Sequence, residues 1–449
     1  MHSQFSVDDR GILTLDLPYN RKPLSFLASS SAVTGPPVRR LGPGLITGAC
    51  NNDPSSVGTY SQVGAQHGYA LTWTLLFSYP LVVAIQQVSA RMGRVTGCGI
   101  AGNLGRHYPR WLAGALVALL AAANVFNLAA NLGAMGAVLR LLLEAPPLLY
   151  VFLFALGSVL FEIFTDYARY LGMLKWLCLS LLSYVLCAFV VGVSWSDVAR
   201  ALIWPELSAR PQYLIAVVAA LGTTISPYLF FWQAQQEVED ARHLACAAPL
   251  FDSSEHAPNE FARIRLDTLT GMGISSAVAL FIVITSASTL HAHGVTTIQT
   301  AAEAAEALRA IAGRFTFVVF ALGIIGAGLL ALPALSASAA YAVGELLSWR
   351  VGRGHRTGPA KTFYAAIAAA TALACALNLT PVNPMRALYW SAVLNGVIAV
   401  PLMTALMHLS RRKAVMGPLT LPPGLSALGW LATLAMACSV AGMAVSWLF

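Results

Sequence analysis

The chain has 449 residues, of which 57% are hydrophobic and only 10% charged, against about a quarter charged in an ordinary soluble domain. So few charges cannot cover a water-exposed surface, which excludes a soluble globular protein. The formal charge of +8 does not mark a nucleic-acid binder, because the basic residues sit in alternate loops between apolar stretches.

Residues 1–41 are polar, contain proline and lack the apolar run of a cleaved signal peptide, so a mobile cytosolic tail is expected there. About eleven apolar stretches follow, at roughly 43–67, 70–91, 111–140, 147–165, 169–192, 212–236, 267–290, 314–347, 361–378, 385–409 and 425–448. A helix crosses the hydrocarbon core in about 20 residues, so these predict an all-α polytopic membrane protein. Loops on one side carry Arg39, Arg40, Arg91, Arg94, Arg106, Arg110, Arg169, Lys175, Arg242, Arg263, Arg265, Arg350, Arg353, Arg356, Lys361, Arg411, Arg412 and Lys413. The other side holds mainly Arg140, Arg200, Arg210, Arg309, Arg314 and Arg386. That bias places the N-terminus in the cytoplasm and the C-terminus outside, in a plasma or inner membrane. The seven cysteines have no zinc-type spacing, and small core residues are expected.

Two spans contain a break. The first is interrupted by Asn51-Asn52-Asp53-Pro54-Ser55-Ser56 and the sixth by Gly222-Thr223-Thr224-Ile225-Ser226-Pro227. Proline lacks an amide hydrogen and clashes with the preceding turn, so each helix should unwind and leave backbone groups without intrahelical partners. Unwound backbone at membrane depth is tolerated where it is buried or lines a cavity. Breaks five spans apart fall in corresponding positions of two inverted halves, the pattern that marks a transporter's binding site; taken singly, each also reads as an ordinary proline kink. The halves are expected at about 42–192 and 212–410, forming a core over 42–410. Residues 411–449 add a basic loop and one further helix.

Asp53 is the one acid that the span boundaries place deep in an apolar stretch. A carboxylate there is costly unless paired or hydrated, and no basic residue has an obvious claim on it. A cation from solution is the natural counter-charge, with Asp53, the Ser56 and Ser226 hydroxyls and freed carbonyls near Thr223 as its ligands. The alternative is a protonated Asp53 bonded to backbone. Asn124, Asn127 and Asn131 share one face of span 3 and predict either a hydrated path or bonds between helices. Gln233, Gln235, Gln236, Glu237, Glu239 and Asp240 predict a solvated helix end in preference to an acidic exit. Residues 301–312 read as an interfacial amphipathic helix, and His291 and His293 as a solvated loop.

Gly42-Pro43-Gly44-Leu45 through Asp53-Pro54, Gly64 to Tyr69, Ala90 to Gly97 and Gly222 to Pro227 together resemble the Nramp family of divalent metal transporters. The resemblance implies a LeuT-like core of two inverted five-helix repeats, with metal held where helices 1 and 6 unwind. The family's Asp-Pro-Gly-Asn is Asp53-Pro54-Ser55-Ser56 here, its Met-Pro-His is Ser226-Pro227-Tyr228, and its Asp-Leu-Ala-Glu is Asn127-Leu128-Ala129-Ala130. Losing the thioether favours harder ions such as magnesium, calcium or manganese, and losing the acids removes proton-route groups. The chain resembles the Nramp-related magnesium transporters in this respect, with Ser56 departing from that branch and manganese left open. Implied metal ligands are Asp53, Ser56, Thr223 and Ser226, with Asn52, Asn127, Tyr228 and Asn395 behind them. Neither a cofactor, a nucleic acid nor an obligate protein partner is expected; metal ions and the bilayer are.

Weaker proton coupling follows from the missing acids, with a proton-coupled manganese or iron(II) importer as the alternative. A cation-coupled organic-solute transporter of the same architecture needs a pocket for a charged organic group. A non-transporting receptor or scaffold needs no site of this kind. An intramembrane enzyme is disfavoured because HExxH, GxSxG and a second embedded aspartate are absent; Asp166 lies near a span end.

Overall fold

The computed structural model describes residues 5–7, 13–15, 42–165, 167–205, 207–243, 249–251, 254–298, 301–349, 351–352, 361–380 and 384–446. Most of the N-terminal tail, Asp166, Cys246, Arg350, Arg353 and Arg356 lie outside them, as do the side chains of residues 301–303 and 306–308. In the N-terminal unit β1 (Phe5–Val7) pairs antiparallel with β2 (Leu13–Leu15), Ser6 opposite Thr14.

The second unit begins at Leu41 and is helical among its described residues. The first broken span is α1 (Pro43–Cys50) and α2 (Pro54–His67), followed by α3 (Thr72–Thr96) and the short α4 (Ile100–His107). Next come α5 (Arg110–Leu142), α6 (Pro147–Phe164), the pair α7 (Tyr167–Leu177) and α8 (Leu182–Val190), and α9 (Trp195–Ile203). The second broken span is α10 (Pro211–Thr224) and α11 (Pro227–His243). Then follow α12 (Ala257–Thr289), α13 (Ala301–Leu346), α14 (Lys361–Leu377), α15 (Pro384–Arg411), α16 (Lys413–Met416) and α17 (Pro423–Ser446). Nine helical segments among the described residues are long and apolar enough to cross a membrane. The split α1–α2 and the 17-residue α14 account for the other two expected spans.

Exposure follows the rule of a lipid solvent. On α6 the stripe Val151, Ala155, Ser158 and Glu162 is buried, whereas Phe152, Leu153, Leu156 and Phe164 are exposed. Large apolar residues on the outside have no water to avoid when hydrocarbon surrounds them. α5 and α13 pack along each other, as do α1 and α2 against α12 and α11 against α3. Small residues allow the close approach: a Cβ on Gly93 would stand 2.1 Å from the Ala234 carbonyl oxygen, so α3 meets α11 backbone to backbone.

That contact corrects the expectation of a solvated end to α11. Gln233, Gln235, Gln236, Glu237 and Glu239 are buried, because α3 and α13 pack along α11. Arg263 of α12 reaches in to pair with Glu237 at 2.5 Å, and Arg94 pairs with Glu260 at 3.2 Å. Arg94, within α3, is thus buried in an ion pair rather than set in a loop. Asp53 is also not alone as a deep acid: Glu162 of α6 is fully buried and accepts a hydrogen bond from the Ser336 hydroxyl of α13 at 2.7 Å. Two residues from the end of α6, it lies under neighbouring helices that the span boundaries do not reveal.

Candidate functional site

The two interrupted spans meet. α1 stops at Cys50 and α2 restarts at Pro54; α10 stops at Thr224 and α11 restarts at Pro227. Each proline takes the first helical position, where its missing N–H would have no partner anyway. The linking residues Asn51, Asn52, Asp53, Ile225 and Ser226 are all buried. α2 packs against α10 and α1 against α11, so the breaks share one interior region. Two side chains tie them: the Tyr228 hydroxyl donates to the Cys50 carbonyl at 2.9 Å, and the Tyr60 and Thr224 hydroxyls bond at 2.9 Å.

Asp53 is the N-cap of α2, in extended backbone that aims its carboxylate at the orphan amides of the first turn. Its Oδ1 accepts from the Ser56 backbone N–H and from the Ser55 and Ser56 hydroxyls, each at 2.7 Å. Its Oδ2 accepts from Asn131 Nδ2 at 2.9 Å. The Asn131 amide oxygen in turn accepts the Ser55 N–H at 2.8 Å, so one side chain of α5 fixes both the acid and the turn that carries it. A carboxylate offers about four acceptor positions. Three bonds crowd Oδ1, and the free position is on Oδ2. The serines spend their hydrogens on Oδ1 and leave lone pairs for a cation.

The remaining predicted residues separate into groups. Thr223 Oγ1 is buried and unpartnered, whereas the Ser226 hydroxyl donates back to the Gly222 and Thr223 carbonyls at 3.0 and 2.8 Å. That bond takes one lone pair of the Thr223 carbonyl expected to be free. Asn52 donates to the Ser275 hydroxyl and carbonyl of α12 at 3.1 and 3.3 Å and keeps a buried, unpartnered Oδ1; Asn51 Oδ1 is likewise unpartnered. Asn127 accepts from Ser391 of α15 at 2.8 Å and not from the Asp53 cluster. Asn395 is buried on α15, whose backbone at Ala392 and Gly396 presses on Gly222 beside the second break. Buried oxygens without donors are what an electropositive guest would satisfy. Among the described residues no three His, Cys, Asp or Glu side chains converge, so the arrangement is one carboxylate among neutral oxygens.

Reading the residues one by one missed Asn131 as the partner of Asp53, and also Ser55, Ser275 and the Tyr60–Thr224 pair. The asparagine stripe on span 3 was the one available signal, and it could not say which of its members meets Asp53.

A family model described as Nramp, natural resistance-associated macrophage protein-like, matches residues 44–446. The chain belongs to the Nramp family. Relatives include the "Divalent metal cation transporter MntH" of Pectobacterium carotovorum subsp. carotovorum (strain PC1), 25% identical over 297 residues that cover 64% of this chain and 68% of that one. The protein of the same description from Yersinia pestis (strain Pestoides F) is 26% identical over 295 residues, with the same coverage. Among solved structures, the Eremococcus coleocola manganese transporter superposes with a TM-score of 0.72 at 16% identity, over 90% of this chain and 85% of that one. MhsT in complex with L-phenylalanine gives 0.57 at 13% identity, over 90% and 97%. These likenesses establish a LeuT-like fold. The break regions of this chain hold the Asp53 carboxylate and the hydroxyls of Ser55, Ser56, Ser226 and Tyr228.

Proposed function

We propose that this Nramp-family chain carries divalent metal cations across the membrane by alternating access, with Mg2+ or Mn2+ favoured and little or no proton coupling. The observation that carries the reading is Asp53, whose Oδ1 is saturated by Ser55 and Ser56 while Oδ2 keeps an open position between two unwound helices. The relatives named for divalent metal transport support the cargo class. Carboxylate, hydroxyl, carbonyl and water suit Mg2+, Ca2+ and Mn2+, and the neighbourhood of Asp53 offers those donors. Asp53, Ser56, Thr223 and Ser226 hold the ion, with Asn52, Asn127, Tyr228 and Asn395 behind them. The core is residues 42–410, the segment 411–449 adds a helix, and the basic loops face the cytoplasm.

Flux of Mg2+, Mn2+, Ca2+ and Fe2+ into proteoliposomes, with and without a pH gradient, tests this. Asn127 and Ala130 cannot titrate, so metal entry is expected without matching acidification, and removing the gradient should change flux less than about twofold. Stoichiometric acidification would favour the second reading, a proton-coupled importer in which buried Glu162 beside Ser336 holds the proton.

Ser226→Met tests the metal preference. It replaces a hydroxyl bonded to its own helix end with a thioether, and should improve Cd2+ competition against Mg2+ by about tenfold. Unchanged competition would mean that residue 226 does not face the ion.

A further inference from the structure

A cavity apart from Asp53 lies between the ends of α2 and α12 and the length of α9. It has a volume of about 870 Å3 and is walled by His67 to Ala70 after α2, by α9 and the residues following it, and by Ala287 and His291 at the end of α12. Two imidazoles share that wall. His291 Nδ1 lies 2.9 Å from the Ala65 carbonyl oxygen. A carbonyl only accepts, so Nδ1 carries the hydrogen and Nε2 keeps its lone pair. A backbone carbonyl holding one ring nitrogen is how a metal-binding histidine is oriented.

The free nitrogen lies beside the turn that follows His67. A Cβ built on Gly68 would stand 3.2 Å from His291 Nε2, which places that nitrogen over the residue following His67. Gly68 has φ +57°, a conformation that favours a residue without a side chain, and the approach needs the same. His67 Nε2 is shut off from solvent without a hydrogen-bond partner, while its ring is set edge-on to Tyr213 at 5.8 Å. A buried polar atom left unmatched is destabilising, and a ligand would relieve it. Asp197, in the first turn of α9, brings a carboxylate to the cavity and accepts from the Ser194 hydroxyl at 2.6 Å. Arg200 shares the wall and opposes a cation; Asp197, one turn earlier, offsets it.

We propose that His67 and His291 form an accessory site for a borderline divalent cation of the Ni2+ and Zn2+ class, completed by water with Asp197 as the outer carboxylate. Among the described residues no three His, Cys, Asp or Glu side chains converge, so Asp197 stays outside the ligand shell and water completes the coordination of the two imidazoles. Imidazole suits Zn2+, Cu2+ and Ni2+, whereas oxygen donors suit Mg2+, Ca2+ and Mn2+. The chain therefore sorts cations by donor chemistry: nitrogen-seeking ions stay in this cavity, and oxygen-seeking ions are matched to Asp53.

The test uses the purified full chain without an affinity tag, with Ni2+ titrated by calorimetry and the nitrogen ligands of bound Cu2+ counted by electron paramagnetic resonance. Asp53→Ala should keep the Ni2+ site and its imidazole signal. His291→Gln can still donate to the Ala65 carbonyl but lacks the ring lone pair; it and His67→Gln should each weaken Ni2+ at least tenfold. Each should also remove one nitrogen from the Cu2+ spectrum. Loss of the site in Asp53→Ala, unchanged affinity in either glutamine variant, or a native spectrum without imidazole nitrogen overturns the proposal. Absence of Mg2+ or Mn2+ flux would overturn the transport reading and leave this site standing.

Discussion

Asp53→Ala is expected to lower divalent flux by about 100-fold or more, a loss of roughly 2.7 kcal/mol in ion binding, while the protein still inserts. Four donors converge on this carboxylate, and alanine leaves them facing a void. The lost N-cap adds a stability cost of about 0.5–2 kcal/mol, so the folded fraction has to be measured beside flux. Asp53→Asn separates charge from shape. It keeps the volume, but its amide hydrogens oppose the Ser56 N–H and the two hydroxyls, or else Asn131. Its flux should be as low as that of alanine, with better survival of heating. Manganese quenching of a dye trapped in proteoliposomes reads flux, and size exclusion after a heat step reads folding. Near-native flux in well-folded Asp53→Asn would remove the carboxylate from the ion path.

Asp53 was legible in the sequence because its signal is local. A carboxylate and a proline inside one apolar stretch predict a break and a charge wherever the helix packs, and Pro227 announces the second break in the same way. Asn131 was not legible as its partner, because the bond to Asp53 joins residues 78 positions apart and depends on how α5 rotates against α2. Asn127, on the same stripe, bonds Ser391 instead. The end of α11 misled for a related reason. A run of Gln and Glu is a solvated surface on an isolated helix, but Gly93 and Ala234 let α3 close over it, and Arg263 arrives from another helix to pair with Glu237. Glu162, two residues from the end of α6, is buried by its neighbours. Composition and periodicity report what a helix is made of; which neighbour covers each face is a tertiary fact.

Gly48→Ala should be among the most damaging small substitutions. α12 holds α1 along one face: Asp267, Gly271 and Ser275 recur every four residues and meet successive levels of α1. Asp267 accepts the Gly42, Gly44 and Leu45 backbone N–H groups at 3.0, 2.7 and 3.0 Å, satisfying the orphan donors at the start of α1. Ser275 receives Asn51 at 2.9 Å and Asn52 at 3.1 Å at its end. Between them a Cβ on Gly48 would stand 2.1 Å from the Gly271 carbonyl oxygen, and one on Gly271 would stand 2.1 Å from the Gly44 carbonyl oxygen. Neither obstacle is a side chain that can turn aside, so α1 has to retreat and stretch the bonds above and below. Overpacking usually costs about 1–3 kcal/mol, and the backbone obstacle puts this case at about 3 kcal/mol or beyond. Gly114→Ala on α5 is the control, since nothing lies within 4 Å of its Cβ position and alanine there gains about 1 kcal/mol of helix propensity. Heating steps followed by size exclusion should show Gly48→Ala losing its monodisperse peak far below the native chain, with Gly114→Ala at or above it. Equal survival of the two variants would mean that α1 is free to shift on α12. In that event Asp53, three residues beyond the end of α1, would not be held in place by this contact.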